Sequence, residues 1–432
     1  MLSQSIVDLA PSKTNLQEER GVTNHGDCRL CGKILTKTVV DLGMSPLANA
    51  YVSYDERNKM EPFFPLHALI CDKCHLVQLE KFEEPGKIFS DYLYFSSYST
   101  SWLAHAKKYI TEQAQRFSLT SSSLIVEIAS NDGYLLQYAM EKGIRVLGVE
   151  PALNVAQEAQ KKGVPTECVF FGQETATYLK SKGYSADLMT ANNVVAHVPD
   201  LHDFLEGFRI LLSETGVVTF EFPHLMRMIE QTQFDTIYHE HFSYFSLKTI
   251  QHALLEHGLR VFDVEELATH GGSLRVYATH QDNERQPTLS SVASLLIRER
   301  NAGLEQISTY QAFAQRALKI KEDLLEFLIN ASRNDLKISG YGAPAKGNTL
   351  LNYCGIKTDF VSFTADANPH KQNMLLPGTH IPILSPDAIK EKKPDFIIIF
   401  PWNLEEEIIE QLSFVREWGG KFVIPIPELK II

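Results

Sequence analysis

Four cysteines form two Cys-x-x-Cys pairs, Cys28 with Cys31 and Cys71 with Cys74. Each pair can form a tight knuckle that presents two thiolates on one side, and two knuckles complete the tetrahedral four-sulfur shell of structural zinc. A closed shell leaves no position for water, so the spacing predicts a structural rather than a catalytic metal. Disulfides, a redox pair or an iron–sulfur cluster would use the same residues and stay open as alternatives.

The segment VEIASNDGY would end a buried strand and open a helix, with Ala129 and Asn131 where nucleotide-binding turns usually carry glycine. Glu150 closes the next apolar run, where its carboxylate could accept hydrogen bonds from both ribose hydroxyls. Glu127 and Asp132 would repel a pyrophosphate but attract the sulfonium and amino groups of S-adenosylmethionine. S-adenosylmethionine is therefore favoured over NAD, and a role of Glu127 in merely capping the sheet stays open. The predicted cofactor contacts here are Glu127, Ala129, Asn131, Gly133 and Glu150.

Asn192, Asn193 and His197 follow the fourth apolar run of the same region. Ligands of open α/β sheets bind at the edge where the carboxyl ends of the strands meet. The two asparagines are therefore predicted cofactor contacts, and His197 is a candidate for the reacting site. An ordinary loop histidine would look the same.

Tyr238, Glu240 and His241 belong to the dense cluster YHEHFSY. Methyl transfer to carbon needs a base that removes a proton beside a carbonyl, and His or Tyr can serve, with a nearby Glu fixing the imidazole tautomer. The histidines of HEH stand two apart, unlike the i and i+4 spacing of an HExxH metal helix. Catalysis is therefore favoured over a second metal site, and a plain hydrogen-bonded cluster stays open.

A second glycine-rich turn, ISGYGAPAKGN, again separates a predicted strand from a helix, and it carries Lys346 instead of acidic residues. A cation in the first helical turn suits an anionic diphosphate. Asp366 closes the next strand, in position for a ribose or base contact. Arg275, in the loop HGGSLR, could bind phosphate or form a surface ion pair. The predicted substrate contacts from these segments are Gly342, Lys346, Asn348, Asp366 and Arg275.

Positioning these side chains requires strands whose ends meet at one edge. After Ser121, short apolar runs alternate with amphipathic stretches, which predicts a doubly wound, mostly parallel α/β sheet. A continuous helical stretch from about Val292 to Asn334 follows, and the alternation restarts at LKISGYGA as a second, smaller Rossmann-like α/β domain. The predicted parts are a flexible tail (1–20), a zinc-binding domain (21–86), an S-adenosylmethionine-binding domain (87–300), a helical connector (301–334) and a C-terminal α/β domain (335–432).

Composition excludes some functions. Lys and Arg number 41 against 53 Asp and Glu, a formal charge of -12, and no basic stripe interrupts the 432 residues, so nucleic acid is not an expected partner. No apolar run is long enough to span a bilayer, and the N-terminal segment lacks the pattern of a secretory signal. We therefore expect a cytoplasmic protein, and the sequence says little about its oligomeric state.

These motifs in this order resemble the sugar C-methyltransferases of deoxysugar biosynthesis, which add a branching methyl at C3 of nucleotide-linked 4-keto-6-deoxyhexoses. The resemblance spans about residues 22 to 430. The segments that carry it are the two Cys-x-x-Cys pairs, DYLYFSSYSTSWLAH, VEIASNDGYLLQ, NNVVAHVPD, YHEHFSYFS, HGGSLRVYATH, ISGYGAPAKGNTLLNYCGI and PGTHIPILSP.

The resemblance implies an N-terminal zinc-binding domain, a central methyl-donor domain and a C-terminal domain that completes a cleft for the nucleotide-sugar. It also implies His241 as general base, Tyr238, Glu240 and His197 around the reacting carbon, and Tyr92 as a substrate contact. Removal of the C3 proton would give an enol(ate) that attacks the methyl group, with inversion at C3. A sugar O-methyltransferase, an NAD-dependent nucleotide-sugar oxidoreductase or epimerase, and a binding protein without turnover stay open as rivals.

Overall fold

The computed structural model describes residues 26–83, 86 and 95–432. Tyr92 and the predicted tail (1–20) therefore lie outside the described residues. Within them, no helix is both long enough and apolar enough to cross a lipid bilayer.

The N-terminal part is a small antiparallel sheet beside the four cysteines. Its strand order is β1-β3-β4-β10, and β10 (Ser243–Tyr244) comes from the segment that follows the cluster YHEH. The catalytic candidates are thereby attached to the sheet of the cysteine-bearing part. The other strands of this part are β1 (Lys37–Ser45), β2 (Val52–Ser53), β3 (Phe64–Ile70) and β4 (Val77–Leu79).

The central domain is a seven-stranded sheet with the order β11-β12-β9-β8-β5-β6-β7, in which only β12 runs antiparallel to its neighbours. All five residues of β5, LIVEI, are buried, as expected for a parallel strand that is covered on both faces. The strands are β5 (Leu124–Ile128), β6 (Arg145–Val149), β7 (Thr166–Glu167), β8 (Ala186–Asn192), β9 (Leu212–Pro223), β11 (Leu259–Leu267) and β12 (Ser273–His280). The helices are α1 (Thr100–Arg116), α2 (Leu136–Glu141), α3 (Leu153–Lys161), α4 (Gln173–Ser181), α5 (Leu201–Leu211), α6 (Leu225–Glu230) and α7 (Leu247–Glu256).

The helical stretch predicted from about Val292 to Asn334 is two helices, α8 (Ser290–Asn301) and α9 (Ile307–Arg333), and not one continuous helix. The break lies at Gly303, whose φ of +80° is a left-handed conformation that glycine adopts without steric cost. Helix α9 buries residues three or four apart along one face and packs against β1. It thereby links the cysteine-bearing part to the C-terminal domain.

The C-terminal domain is a six-stranded sheet with the order β16-β14-β13-β17-β18-β19, parallel except for β19. A separate pair, β15 with β2, joins this domain to the N-terminal part. The strands are β13 (Ile338–Tyr341), β14 (Thr364–Ala365), β15 (Met374–Leu375), β16 (Ile383–Leu384), β17 (Phe396–Ile399), β18 (Lys421–Ile424) and β19 (Lys430–Ile431). The helices are α10 (Ala345–Cys354), α11 (Asp387–Lys392) and α12 (Glu405–Gln411).

Candidate active site

A cavity of about 760 Å³ lies where the N-terminal part, the central sheet and the C-terminal domain meet. Its volume is in the range of cofactor and substrate pockets. The predicted site residues that line it are Ala129, Asn131, Glu150, Asn192, Asn193, His197, Tyr238, Glu240, His241 and Lys346. Of the other predicted contacts, Glu127, Gly133, Arg275, Gly342, Asn348 and Asp366 lie outside its lining.

The turn after β5 has the backbone of a glycine-rich loop without most of the glycines. Ala129, Asn131 and Gly133 have φ values of +55°, +49° and +74°. Non-glycine residues pay about 1 to 2 kcal/mol for this conformation, which is typical of ligand-binding turns. Gly133 also allows close packing, because a Cβ there would lie 2.8 Å from a methyl carbon of Val164.

Two carboxylates flank this turn. Glu150 accepts hydrogen bonds from the backbone N–H of Asn131 at 2.9 Å and of Ala152 at 2.8 Å, which fixes its carboxylate at the cavity wall. Glu127 is buried in β5, and burial raises its pKa well above the ordinary value. Its Oε2 has no hydrogen-bond partner among the described residues. Glu127 lies outside the lining of the cavity, whereas Glu150 lies in it and can accept hydrogen bonds from the ribose hydroxyls of S-adenosylmethionine, so the residues present fit this methyl donor.

His241 and Tyr238 form a hydrogen-bonded pair whose roles follow from the backbone. The Nδ1 of His241 lies 2.9 Å from the carbonyl oxygen of Thr236, which can only accept, so Nδ1 carries the proton. Nε2 is then the basic atom, and it accepts from the Tyr238 hydroxyl at 2.8 Å. Burial and nearby positive groups hold the pKa of His241 well below its usual range. The ring is therefore neutral at pH 7, as a general base must be.

Two more histidines line the cavity. The ring of His197 lies 4.7 Å from that of His241, and burial lowers the pKa of His197 to about 4. His270 lies 3.3 Å from the Asn193 amide, and burial followed by the charge of Lys346 lowers its pKa to about 4. The site therefore holds a group of neutral imidazoles. His270 stands in the loop HGGSLR, where sequence reasoning singled out only Arg275.

Glu240 is held by a residue from the N-terminal part. The Asn49 amide donates to its two carboxylate oxygens at 2.8 and 2.9 Å. Burial raises the pKa of Glu240 to about 7, while Asn49 and then Lys371 oppose the rise. Asn49, Tyr51 and Lys371 all line the cavity, and none was predicted to do so. Each lies outside any recognisable motif, so no local signal could have found it.

The C-terminal glycine-rich turn brings Lys346 into the cavity. Its Nζ lies 4.5 Å from the ring centre of Trp402 and donates to Asn403 at 2.6 Å. Gly342 has φ of +84°, and a Cβ there would lie 2.6 Å from Cδ of Pro401, so the turn requires glycine. Asp366 accepts from the backbone N–H of Ala343 at 2.6 Å and so shapes the same turn.

Asn348 and Arg275 are used elsewhere. The Asn348 amide donates to the carbonyl oxygen of Ala48 at 2.6 Å, which fastens the N-terminal part to α10. Arg275, expected at a phosphate or a surface ion pair, is 1% exposed. It donates to Glu221 at 2.7 Å and to Glu265 at 2.8 Å. Two carboxylates already balance this guanidinium inside the sheet, so the structure does not bring it to the cavity.

The four cysteines converge as the spacing predicts. The sulfur atoms of Cys28, Cys31, Cys71 and Cys74 all lie within 4.8 Å of one another. A tetrahedral zinc with bonds of about 2.3 Å needs sulfurs about 3.8 Å apart, so the residues fit this metal. Arg29, between the first two cysteines, donates to the carbonyl oxygens of Phe242 and Leu79, each at 2.6 Å. The loop that carries Cys28 and Cys31 is thus hydrogen-bonded to the segment that follows YHEH.

Solved structures with similar folds are S-adenosylmethionine-dependent methyltransferases at low similarity. Magnesium protoporphyrin IX methyltransferase from Synechocystis is 13% identical over 41% of this chain and 79% of its own, with a TM-score of 0.32. A methyltransferase from Clostridium acetobutylicum is 14% identical over 40% of this chain and 90% of its own, with a TM-score of 0.32. One from Anabaena variabilis is 13% identical over 41% and 86%, with a TM-score of 0.33.

Sequence comparison covers the chain more fully. Three family models match: a zinc binding domain at residues 28–89, a methyltransferase domain at 102–264 and a C-methyltransferase C-terminal domain at 268–427. The C-methyltransferase NovU of Streptomyces niveus is 36% identical over 408 residues, 94% of this chain and 96% of that protein. With the four-cysteine site and the cavity that the donor turn lines, this places the chain in the family of S-adenosylmethionine-dependent C-methyltransferases that carry an N-terminal zinc-binding domain.

Proposed function

We propose that this C-methyltransferase acts at C3 of a nucleotide-linked 4-keto-6-deoxyhexose, or its 2,6-dideoxy form, through an enol(ate). The observation that carries the proposal is the Tyr238–His241 pair, in which a neutral imidazole lines the cavity with its Nε2 hydrogen-bonded to the Tyr238 hydroxyl. A base of this kind is needed when methylation occurs at carbon, since carbon must first lose a proton. Methylation of a sugar hydroxyl needs no ketone and no carbon acid.

The proposed reaction begins with the proton at C3. The ketone at C4 acidifies it, Nε2 of His241 takes it, and the electron pair of the broken C–H bond enters the enol(ate). S-adenosylmethionine would supply an electrophilic methyl group: the electron pair of the enol(ate) forms the bond from C3 to the methyl as the sulfur–methyl bond breaks, which releases S-adenosylhomocysteine and restores the ketone at C4. Orientation of the sugar in a closed cavity and stabilisation of the oxygen at C4 supply much of the acceleration.

The side of the cavity formed by the C-terminal domain suits a nucleotide diphosphate. Lys346 and Lys371 both line the cavity, and Lys346 stands in the first turn of α10, whose N-terminus favours an anion. Gly342 and Asp366 set the shape of the turn that precedes Lys346. We retain Gly342 and Asp366 as proposed substrate-site residues. Tyr92 also keeps its proposed substrate contact, outside the described residues.

The same proposal assigns work to the parts of the chain. Residues 21–86 bind zinc, 87–300 bind the methyl donor through Glu150, Asn192 and Asn193, and 335–432 bind the nucleotide. The connector, 301–334, holds the outer domains together. The proposal does not involve nucleic acid or a membrane.

The test is turnover with isotopically labelled methyl donor and a panel of nucleotide-linked sugars. Each 4-keto-6-deoxyhexose is paired with its 4-hydroxy counterpart as a matched control, and nuclear magnetic resonance locates the methyl group. We expect a C3-methyl product from the ketones alone. A methyl group on oxygen, or equal turnover of the 4-hydroxy sugars, would refute the proposed substrate and its enol(ate).

A further inference from the structure

A short loop of the N-terminal part, residues 48–51, reaches the active-site cavity with the side chains of Asn49 and Tyr51. The carbonyl oxygen of Ala48 accepts from the Asn348 amide, and the Tyr51 hydroxyl donates to the carbonyl oxygen of Ala343, each at 2.6 Å. Both anchors belong to the C-terminal domain. Between these two anchors, the Asn49 amide donates hydrogen bonds to both carboxylate oxygens of Glu240.

Glu240 stands in an environment that disfavours charge. It is 3% exposed, and a buried carboxylate loses the hydration that stabilises its ionised form. Asn49 supplies N–H donors to both of its oxygens, and an ionised carboxylate gains more from such donors than a protonated one does. The titratable groups that line the cavity with it are Tyr51, Tyr134, Glu150, His197, Asp200, Asp203, Tyr238, His241, His270, Lys346 and Lys371.

Few of these neighbours stabilise the negative charge of the ionised Glu240 carboxylate. The cavity imidazoles His197 and His241 both have pKa values lowered by burial and are neutral at pH 7. Lys371 contributes a positive charge, but its effect on Glu240 ranks behind that of Asn49. The largest stabilisation of the ionised carboxylate therefore comes from the Asn49 amide.

We propose that Asn49 is a positioning residue of the methyl-transfer reaction: it keeps the Glu240 carboxylate ionised and aimed into the cavity. The zinc-binding part thereby completes the active site of a domain far along the chain. This inference rests on the family's C-methyltransferase activity and holds whichever carbon acid the enzyme accepts. Asn49 acts through Glu240, so its contribution should vanish when Glu240 cannot ionise.

The first test needs no substrate. Thermal unfolding is measured at pH 6.0 and 8.5 for the wild type, Asn49→Ala, Glu240→Gln and the double variant. A carboxyl whose folded pKa lies above its unfolded value loses stability as pH rises through the folded pKa. Loss of Asn49 raises the pKa of Glu240 further. The decrease in stability with rising pH is therefore larger in Asn49→Ala than in the wild type. For a further pKa shift of about one unit, we expect the deficit of Asn49→Ala to be about 1 to 2 °C larger at pH 8.5 than at pH 6.0.

In the Glu240→Gln background, removal of Asn49 should cost the same at both pH values, since no group is left to titrate. Asn348→Ala is the matched control, because it releases the same loop from its other side without contact to Glu240. Its deficit should also be equal at both pH values. A pH-independent deficit for Asn49→Ala, or a pH-dependent one that persists in the Glu240→Gln background, would overturn the proposal.

The second test is turnover with an accepted substrate from pH 6 to 9. If the ionised carboxylate is the active form, Asn49→Ala shifts the acid limb of kcat upward, with a loss about tenfold greater at pH 6.5 than at pH 8.5 for a shift of one pH unit. An equal loss at both pH values would show a merely structural residue and overturn the proposal. Failure of the sugar panel would refute the proposed substrate yet leave the unfolding test intact.

Discussion

Replacing His241 by asparagine should abolish most of the proton removal while leaving the cavity formed. Asparagine keeps a polar side chain of similar size but offers no basic nitrogen at the position of Nε2. A general base contributes about 10²- to 10⁴-fold, which corresponds to about 3 to 5 kcal/mol of activation free energy. Burial already keeps the pKa of His241 far below 7, so the loss reflects a missing base and not a changed protonation state.

Tyr238→Phe is the matched control. It removes the hydroxyl that donates to Nε2 at 2.8 Å, but the carbonyl of Thr236 still fixes the proton on Nδ1. The imidazole therefore remains a base. One neutral hydrogen bond of about 1 kcal/mol is lost, so we expect a decrease of about tenfold or less.

The assay measures exchange of the substrate's C3 proton with deuterated water in the presence of S-adenosylhomocysteine. Nuclear magnetic resonance monitors the exchange. No methyl donor is added, so proton removal is observed apart from methyl transfer. Exchange at the wild-type rate in His241→Asn, together with its loss in Tyr238→Phe, would refute the assignment and identify the tyrosine as the base.

Three further outcomes are expected. Glu150→Gln should weaken binding of the methyl donor about tenfold to a hundredfold in calorimetry, because the amide is uncharged and an NH2 group replaces one of the two acceptor oxygens. An unchanged affinity would place Glu150 away from the ribose. Arg275→Met should lower the free energy of unfolding by up to about 3 to 5 kcal/mol in denaturant titrations, because buried Glu221 would lose its guanidinium partner and keep only His105 and Thr269; a loss below about 1 kcal/mol would contradict that reading. Cys74→Ser should remove zinc and turnover together, whereas Cys168→Ser, at an exposed cysteine, should remove neither by metal analysis and activity assay; stable folded protein with full activity and no zinc would refute a structural metal.

Features set by short-range patterns could be predicted from the sequence. The convergence of the four cysteines followed from their spacing, and the alternation of apolar runs and helices gave the two α/β domains. The turn at Ala129 and Asn131 was predicted from its place between a strand and a helix, whereas its left-handed backbone was not, because neither residue is glycine. Each of these depends on residues close together in the chain.

Features set by distant contacts could not. Asn49 meets Glu240 across 191 residues, and nothing in PLANAY indicates a side chain that faces a cavity. Arg275 looked like a phosphate ligand because a loop arginine is usually free, but β11 and β9 place a carboxylate on each side of it. The break at Gly303 was missed because helical periodicity continues on both of its sides.

The attachment of β10 to the cysteine-bearing sheet has a consequence for folding during synthesis. One hydrogen-bond partner of Arg29 is Phe242, which is 213 residues further along the chain. The partner of Ala48 is Asn348, which is 300 residues further along. At about 5 to 20 residues per second, a ribosome needs roughly ten seconds or more to supply the first of these partners. The cysteine-bearing part is therefore synthesised well before Phe242 and Asn348, which supply two of its contacts. A chain truncated before residue 243 should expose the open edge of β4, and such a fragment is the species on which chaperones would act.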